Sequence, residues 1–332
     1  MNPKYQELAG RIGLQHSPRI AGLWALLADD TEADILLAMP GQAQDLAAKL
    51  GLDPREVQHK IDELFRKGVA FPSGKTDPPT WRMCRDLIQF HDASILWPEA
   101  PQEFLSLWRE FMDTEWFDLA KVFSQTMTKP FTRVIPVGVS LKPRTQILDF
   151  ESVRQAVEGA SNLAVTKCTC RLTMGNCDRP LEVCLQVNRA ADYTLARGTG
   201  RQVSAEEALD ILRRCEEEGL IHVTMNKSSM DHFICNCCPC CCQTMPVLIK
   251  GGVHVVDPSR FAAEIDPDLC SGCGLCQERC YFEAIEFVDG EGSVSKVAAD
   301  KCMGCGLCQV TCPEEAIELV EVRETHFVPG AA

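Results

Sequence analysis

IDPDLCSGCGLCQERCYFEAIEF (residues 265–287) is answered thirty-two residues later by VAADKCMGCGLCQVTCPEEAIEL (residues 297–319). Each copy carries four cysteines with two, two and three residues between them: Cys270, Cys273, Cys276 and Cys280, then Cys302, Cys305, Cys308 and Cys312. The glycine and apolar positions around the cysteines repeat as well, which makes these two copies of one structural unit. Disulfide frameworks of secreted domains do not repeat a spacing in this way, so an oxidised scaffold is disfavoured.

The spacing is that of bacterial-type [4Fe-4S] binding, and from about residue 264 to 324 the chain resembles the two-cluster ferredoxins. In that family the fourth cysteine of each run ligates the other cluster. The resemblance therefore implies one cluster on Cys270, Cys273, Cys276 and Cys312 and a second on Cys302, Cys305, Cys308 and Cys280. Gly272, Gly274, Gly304 and Gly306 suit a backbone that bends tightly around sulfur and turns its N–H groups toward it. Pro313 follows Cys312 as the family pattern expects, whereas Tyr281 stands after Cys280.

The same segment holds most of the charge. Of the formal net −14, residues 257–332 carry −10, with 15 acidic against 5 basic groups; residues 1–80 and 81–256 carry −2 each. An acidic end bearing thiolate clusters is expected to be steered to a basic docking surface on a redox partner. The first long apolar stretch, Ile20 to Ala28, is too short to span a bilayer and is followed by Asp29 and Asp30, so it reads as a core helix. The expectation is a cytoplasmic protein of an anaerobe with no membrane span.

The organisation expected is α+β and multidomain: a winged-helix-like domain at 1–80, a helical connector at 81–135, a cysteine-rich α/β iron-sulfur domain at 136–256 and the two-cluster ferredoxin domain at 257–332. In the first, Thr31 is expected to cap a helix through Met39, and Asp53-Pro54-Arg55-Glu56 starts a helix that Gly68 ends. Val57, Ile61, Leu64 and Phe65 share its inner face, and VAFPSGKTDPPTWRM follows as a hairpin-like wing. The helix at 54–67 mixes Arg55, Lys60, Arg66 and Lys67 with Glu56, Asp62 and Glu63, which weighs against DNA and for a docking or homodimer surface. In the connector, Phe104, Leu105, Trp108, Phe111, Met112, Leu119 and Val122 recur at helical spacing and read as core or interdomain packing rather than a cofactor box. KPFTRVIPVG reads as a linker.

The middle domain offers ten further thiols. LAVTKCTCR is an apolar strand-like run ending in Cys168 and Cys170, and Cys177 and Cys184 follow; a helix is expected from Cys184 through Leu195. HFICNCCPCCCQTM then packs Cys235, Cys237, Cys238, Cys240, Cys241 and Cys242 into eight residues. Strands that end in cysteines at two places suggest one scaffold that brings both groups to one edge. Ten sulfurs suffice for one or two further Fe–S clusters, or for an unusual non-cubane one. Zinc also takes four thiolates, but adjacent cysteines and C-x-C steps are not its usual spacing, so iron-sulfur is favoured. The pairing of a C-T-C-R stretch with a C-N-C-C-x-C-C-C stretch resembles iron-sulfur proteins of anaerobes that end in a two-cluster ferredoxin.

Arg171, directly after Cys170, is placed to hydrogen-bond a cluster sulfide. Cys215 lies on the apolar face of SAEEALDILRRCEEEGL and reads as a small hydrophobe. Cys84 has no assigned role, and His222, His232 and His254 read as ordinary residues. No G-x-G-x-x-G follows a strand, so no flavin or nucleotide is expected, and no catalytic residue is identified. The leading expectation is a multi-cluster electron-transfer subunit that relays low-potential electrons between a soluble partner and a catalytic subunit. A reductase with an open cluster site in the middle domain and a redox-sensing transcription regulator are the alternatives.

Overall fold

The computed structural model describes residues 2–74, 76–138, 152–230, 232–288 and 294–330. It forms two compact units, Met1–Phe117 with Leu172–Met174, and Asp118–Arg171 with Gly175–Ala332. Helix and strand are mixed, as an α+β protein requires.

The first unit runs α1 (Pro3–Arg11), α2 (Pro18–Leu27), α3 (Asp30–Ala38), α4 (Ala43–Leu50), α5 (Pro54–Lys67), the antiparallel hairpin β1 (Ala70–Ser73) and β2 (Thr80–Met83), then α6 (Leu87–Ser94) and α7 (Gln102–Thr114). Lys75, in the hairpin loop, lies outside the described residues. α3 starts two residues earlier than a Thr31 cap allows: Asp29 accepts the Glu32 N–H at 2.8 Å, and Glu32 returns the bond to the Asp29 N–H at 2.8 Å. A carboxylate with a reciprocal Glu three residues on satisfies two orphan donors at once, which a cap at Thr31 does not match. α5 is capped by the Asp53 side chain and closed by Gly68 in the left-handed region. The core is aromatic, with Trp24 stacked on Phe90 at 4.2 Å and Trp108 tilted against Phe90 at 5.0 Å.

The apolar stripe expected at 101–127 divides. On α7, Phe104, Trp108, Phe111 and Met112 are buried. The next helix, α8 (Trp116–Thr126), keeps Trp116 and Ala120 inside but leaves Val122 exposed, so Val122 is not a core residue.

The second unit is built on a seven-stranded sheet. Its elements are β3 (Thr132–Val134), α9 (Val153–Glu158), β4 (Leu163–Lys167), α10 (Thr169–Met174), β5 (Glu182–Val187), α11 (Arg189–Ala196), β6 (Arg201–Gln202), α12 (Ala205–Glu217), β7 (Ile221–Met225), β8 (Phe233–Cys237), α13 (Met245–Ile249) and β9 (Val256–Asp257). Strand order is β6-β4-β5-β8-β7-β3-β9, every pairing antiparallel except β3 with β9. This differs from the parallel layer that an α/β reading implies: the β7–β8 connection is too short for a crossover helix, and the chain between β4 and β5, although it carries α10, returns antiparallel.

Two local expectations are corrected. The stretch read as a linker contains β3, with Arg133 and Val134 buried. Cys184 lies on a strand rather than at the head of a helix: Val183, Leu185 and Val187 alternate inward along β5, a period of two that only a strand satisfies. The helix begins after it, at Arg189.

The C-terminal segment adds β10 (Phe261–Ile265), α14 (Leu275–Arg279), β11 (Ile285–Val288), β12 (Val294–Val297), α15 (Leu307–Val310) and β13 (Ile317–Glu321). β10 pairs with β13 and β11 with β12, both antiparallel. The first strand of each pair thus joins the opposite end of the repeat, and the two halves interlock.

Candidate metal centres

β4 and β8 are both antiparallel to β5, which lies between them, so they run the same way and end at the same edge of the sheet. Cys168 follows β4 directly, Cys237 closes β8, and the turn after β8 carries Cys238, Cys240, Cys241 and Cys242. β5 runs the opposite way and starts at that edge, which brings Cys184 opposite Thr166. Strand alternation then sorts the side chains. Cys235 and Cys237 share one face of β8 with the cross-strand neighbours Val223 and Ile221, and Asn236 takes the other face opposite His222.

Six thiols form a contiguous array on the cysteine face. Cys168 hydrogen-bonds Cys170, Cys170 and Cys237 both hydrogen-bond Cys242, and Cys237 also meets Cys235. Cys235 lies 3.9 Å from Cys184, sulfur to sulfur. Cys242 is the hub of the array: bonds from Cys170 and Cys237, reinforced by the Thr244 hydroxyl at 3.3 Å and the Met245 N–H, outweigh burial and hold its pKa well below that of an ordinary thiol. Cys170 moves the opposite way, driven up by those shared bonds and by burial.

The other four thiols gather separately. The sulfurs of Cys177, Cys238, Cys240 and Cys241 all lie within 4.8 Å of one another. Cys177 is 3.6 Å from Cys241 and 3.9 Å from Cys238, and Cys240 is 3.8 Å from Cys241. Burial pushes the Cys240 thiol up to about 11. The Asn176 side chain fixes the turn by donating to the Cys240 carbonyl at 3.2 Å.

Arg171 stands between the two groups. It is 2 % exposed, donates to the carbonyls of Pro180 and Asn236, and hydrogen-bonds Cys238. Burial opposes its charge, yet Cys168 and Cys238 hold its pKa above the usual value. Its Nε–H is buried with no acceptor among the described residues, a donor that an inorganic sulfide or metal thiolate would satisfy. Arg179, two residues beyond Cys177, feels the charges of Cys238 and Cys177, and donates to Tyr281 Oη at 2.9 Å and Glu218 O at 2.6 Å. The sequence reading missed it, although the proximity to cysteine that singled out Arg171 also marks Arg179.

The opposite face of β8 carries a buried polar chain. His222, 0 % exposed, bonds Asn236 Oδ1 through Nδ1 at 2.6 Å and Glu216 Oε1 through Nε2 at 3.2 Å, and Glu216 also accepts the Gly138 N–H. Asn236 completes it by donating to Val183 O at 2.5 Å. His254 is surface-exposed and pairs with Asp257 at 2.9 Å. His232 offers its carbonyl to the Val187 N–H. Cys215 and Cys84 are buried, and burial raises both thiols, Cys215 to about 12.

In the C-terminal segment, Cys270, Cys273, Cys276 and Cys312 line one hollow together with Ile265, Ser295 and Ile317. Burial, and after it the charges of Cys305, Cys302, Cys280 and Cys276, raise the Cys308 thiol well above its ordinary value. Backbone N–H groups aim at sulfur, from Ala263 to Cys302 and from Ala284 to Cys280, each at 3.4 Å. Four thiols around a hollow in one set, and backbone N–H donors aimed at Cys302 and Cys280 of the other, are features that [4Fe-4S] clusters accept.

The segment is not isolated from the sheet. Cys237, Cys242, Ile221 and Val223 pack in one apolar cluster with Leu307, Met303 and Cys305. No helix among the described residues is long and apolar enough to cross a membrane. No curated protein and no solved structure matches the chain. Residues 263–319 match the family model described as a 4Fe-4S dicluster domain. The C-terminal segment is therefore an iron-sulfur, ferredoxin-like domain, and with its cysteine-rich regions the chain is an iron-sulfur protein with an electron-transfer role.

Proposed function

We propose that the chain is a multi-cluster relay, in which the dicluster segment exchanges single electrons with a soluble partner and the cysteine face of the sheet carries them onward to a catalytic subunit. The observation that carries this reading is the apolar cluster that holds Cys237 and Cys242 of the sheet and Cys305 of the dicluster segment in one packed layer. Bound clusters supply one-electron chemistry at potentials within roughly −700 to +450 mV. The protein's part is to hold the thiolates, exclude water and set the charge around them.

Within the dicluster segment, Cys270, Cys273, Cys276 and Cys312 would hold one cluster and Cys302, Cys305, Cys308 and Cys280 the other. In the sheet, four successive thiols at one end of the six-thiol array, Cys168, Cys170, Cys242 and Cys237, would hold a third. Apolar packing by Ile221, Val223, Met245 and Leu307 keeps solvent from that path, and the Arg171 guanidinium offsets thiolate charge. The acidity of residues 257–332 supports a basic redox partner at that end.

The test is anaerobic iron and sulfide analysis of the wild type and of Cys242→Ser, with electron paramagnetic resonance of the reduced proteins. The relay expects the variant to lose about four irons and to lose the magnetic coupling between the sheet cluster and the dicluster segment. Iron content equal in the two proteins, at about eight per chain, refutes it.

A further inference from the structure

The ten thiols of the sheet region do not all serve one kind of centre. The geometry points to a single divalent metal ion, zinc or iron, in a closed tetrathiolate site formed by Cys177, Cys238, Cys240 and Cys241, separate from the cluster-binding array.

A tetrahedral ion with metal–sulfur bonds of about 2.3 Å holds its sulfurs about 3.8 Å apart. Three of the sulfur pairs here measure 3.6, 3.8 and 3.9 Å, and all four sulfurs lie within 4.8 Å of one another. A cubane places four irons and four sulfides between its thiolates, so its ligands do not gather all within 4.8 Å of one another; the Cys168, Cys170, Cys242 and Cys237 thiols touch in succession but form no such mutual group. The dicluster cysteines Cys270, Cys273, Cys276 and Cys312 surround open space. Among the described residues the Cys177 group is the one set of ligating side chains as compact as a single ion demands.

Chain geometry accounts for the compactness. Cys238, Cys240 and Cys241 lie within four residues of one tight turn after β8, which points three sulfurs inward over a short span. Cys177 closes the fourth side from the loop before β5. Adjacent cysteines are unusual for zinc by spacing alone, but here the turn brings Cys240 and Cys241 to 3.8 Å, so the spacing objection falls.

Charge agrees. Four thiols that lose their protons to bind a divalent ion leave a net charge of −2. Arg171 hydrogen-bonds Cys238, and Arg179 lies within electrostatic reach of Cys238 and Cys177, so two guanidiniums face the site. Cys242, next in sequence to Cys241, turns away and bonds Cys170 and Cys237 instead. The turn therefore divides its sulfurs between two centres, and the closed site would staple the β8 end to the loop that carries Cys177.

The test compares metal and sulfide per chain in the anaerobic wild type, Cys177→Ser and Cys240→Ala, with X-ray absorption at the edge of the metal that is lost. The expected result is loss of one zinc, or one iron, with no loss of sulfide; in the wild type, zinc shows a first shell of four sulfurs at about 2.3 Å with no metal neighbour, whereas iron shows a single-site Mössbauer absorption resolved from that of the clusters. Cys240→His, which restores a tetrahedral ligand, should recover the metal that Cys240→Ala loses. Loss of about four irons with matching sulfide, or no loss of any metal, overturns the assignment. Because the wild-type spectra need no variant, misfolding of a variant does not leave the question open. The outcome is independent of Cys242→Ser, so the relay and the single-ion site stand or fall separately.

Discussion

The N–H of Val137 donates to the carbonyl of Cys305 across 2.9 Å, which ties the chain just past β3 to the loop of the second ferredoxin-type run. Arg279, in the first run, donates to Glu216 O at 2.8 Å and to Glu217 O at the end of α12. Arg179 reaches the other way, from the sheet to Tyr281. The sheet and the dicluster segment are thus one body, held at three points around the layer containing Cys237, Cys242 and Cys305.

Arg279→Ala removes two bonds to carbonyl groups at once. It is expected to weaken the joint by about 1–2 kcal/mol. Thermal unfolding under anaerobic conditions should fall by a few degrees, with the dicluster visible absorbance lost at a lower temperature than that of the sheet. Unchanged and coincident transitions would show that the joint does not depend on this residue.

The two runs are alike in sequence but unequal in packing. Gly304 has φ +62, and a Cβ there would strike the Phe261 carbonyl and Ser259 Oγ, backbone and buried neighbours that have nowhere to go. Gly274 has φ +75 and meets nothing within 4 Å. Gly274→Ala should therefore cost about 1–2 kcal/mol from the left-handed backbone alone and keep its iron. Gly304→Ala should distort the loop of Cys302, Cys305 and Cys308 and lose roughly half the iron of the segment. Equal iron in both variants would contradict the packing argument.

His222→Ala leaves Glu216 and Asn236 without a shared partner in a buried layer. The expected loss is about 3 kcal/mol, because Asn236 Oδ1 loses its His222 partner, Glu216 keeps the Gly138 N–H but loses the imidazole, and a cavity is opened. Chemical denaturation measures it. Since Asn236 lies between Cys235 and Cys237, the variant should also broaden the spectrum of any cluster bound on the other face.

Burial raises the Cys215 thiol from 9.0 to about 12. In that interval the unfolded chain has released the proton and the folded chain keeps it. The stability gained by burying the neutral thiol is therefore intact below pH 9 and is lost as pH rises toward 12. The urea midpoint should decline over this range, and Cys215→Ala should flatten the decline. At pH 8 the folded protein should leave Cys215 unalkylated by iodoacetamide, with labelling only after denaturation.

Much of this arrangement was legible in the chain. Asp53-Pro54 and Gly68 bound α5 because capping and left-handed termini are local chemistry. The strand-like run before Cys168 and the strand β8 carry their cysteines to one edge because both are antiparallel to β5. What was not legible depends on tertiary context. β3 is three residues long between prolines, and only its neighbours β7 and β9 make it a strand. β5 is too short for its alternation to outweigh the helical run that follows. Neither can spacing say that Cys241 and Cys242, adjacent in sequence, face different centres.

That division has a last consequence, for Cys184 and Cys235. They lie 3.9 Å apart on neighbouring strands, and Gln186 Nε2 donates to Cys184 Sγ at 3.3 Å. Cys235 hydrogen-bonds Cys237, and Cys184 lies beside Cys235. On the proposed relay, Cys168, Cys170, Cys237 and Cys242 complete a cubane, which would leave these two as wall rather than ligands. Cys184→Ala should retain all iron and sulfide, at a cost limited to a lost sulfur contact of about 1 kcal/mol, and the same should hold for Cys184→Ser. Cys170→Ser should lose about four irons. If instead Cys184→Ala sheds iron while Cys168→Ser does not, the ligand set lies further along β5 and β8. The cluster would then sit over Cys184, Cys235, Cys237 and Cys242, with Cys168 and Cys170 as its wall.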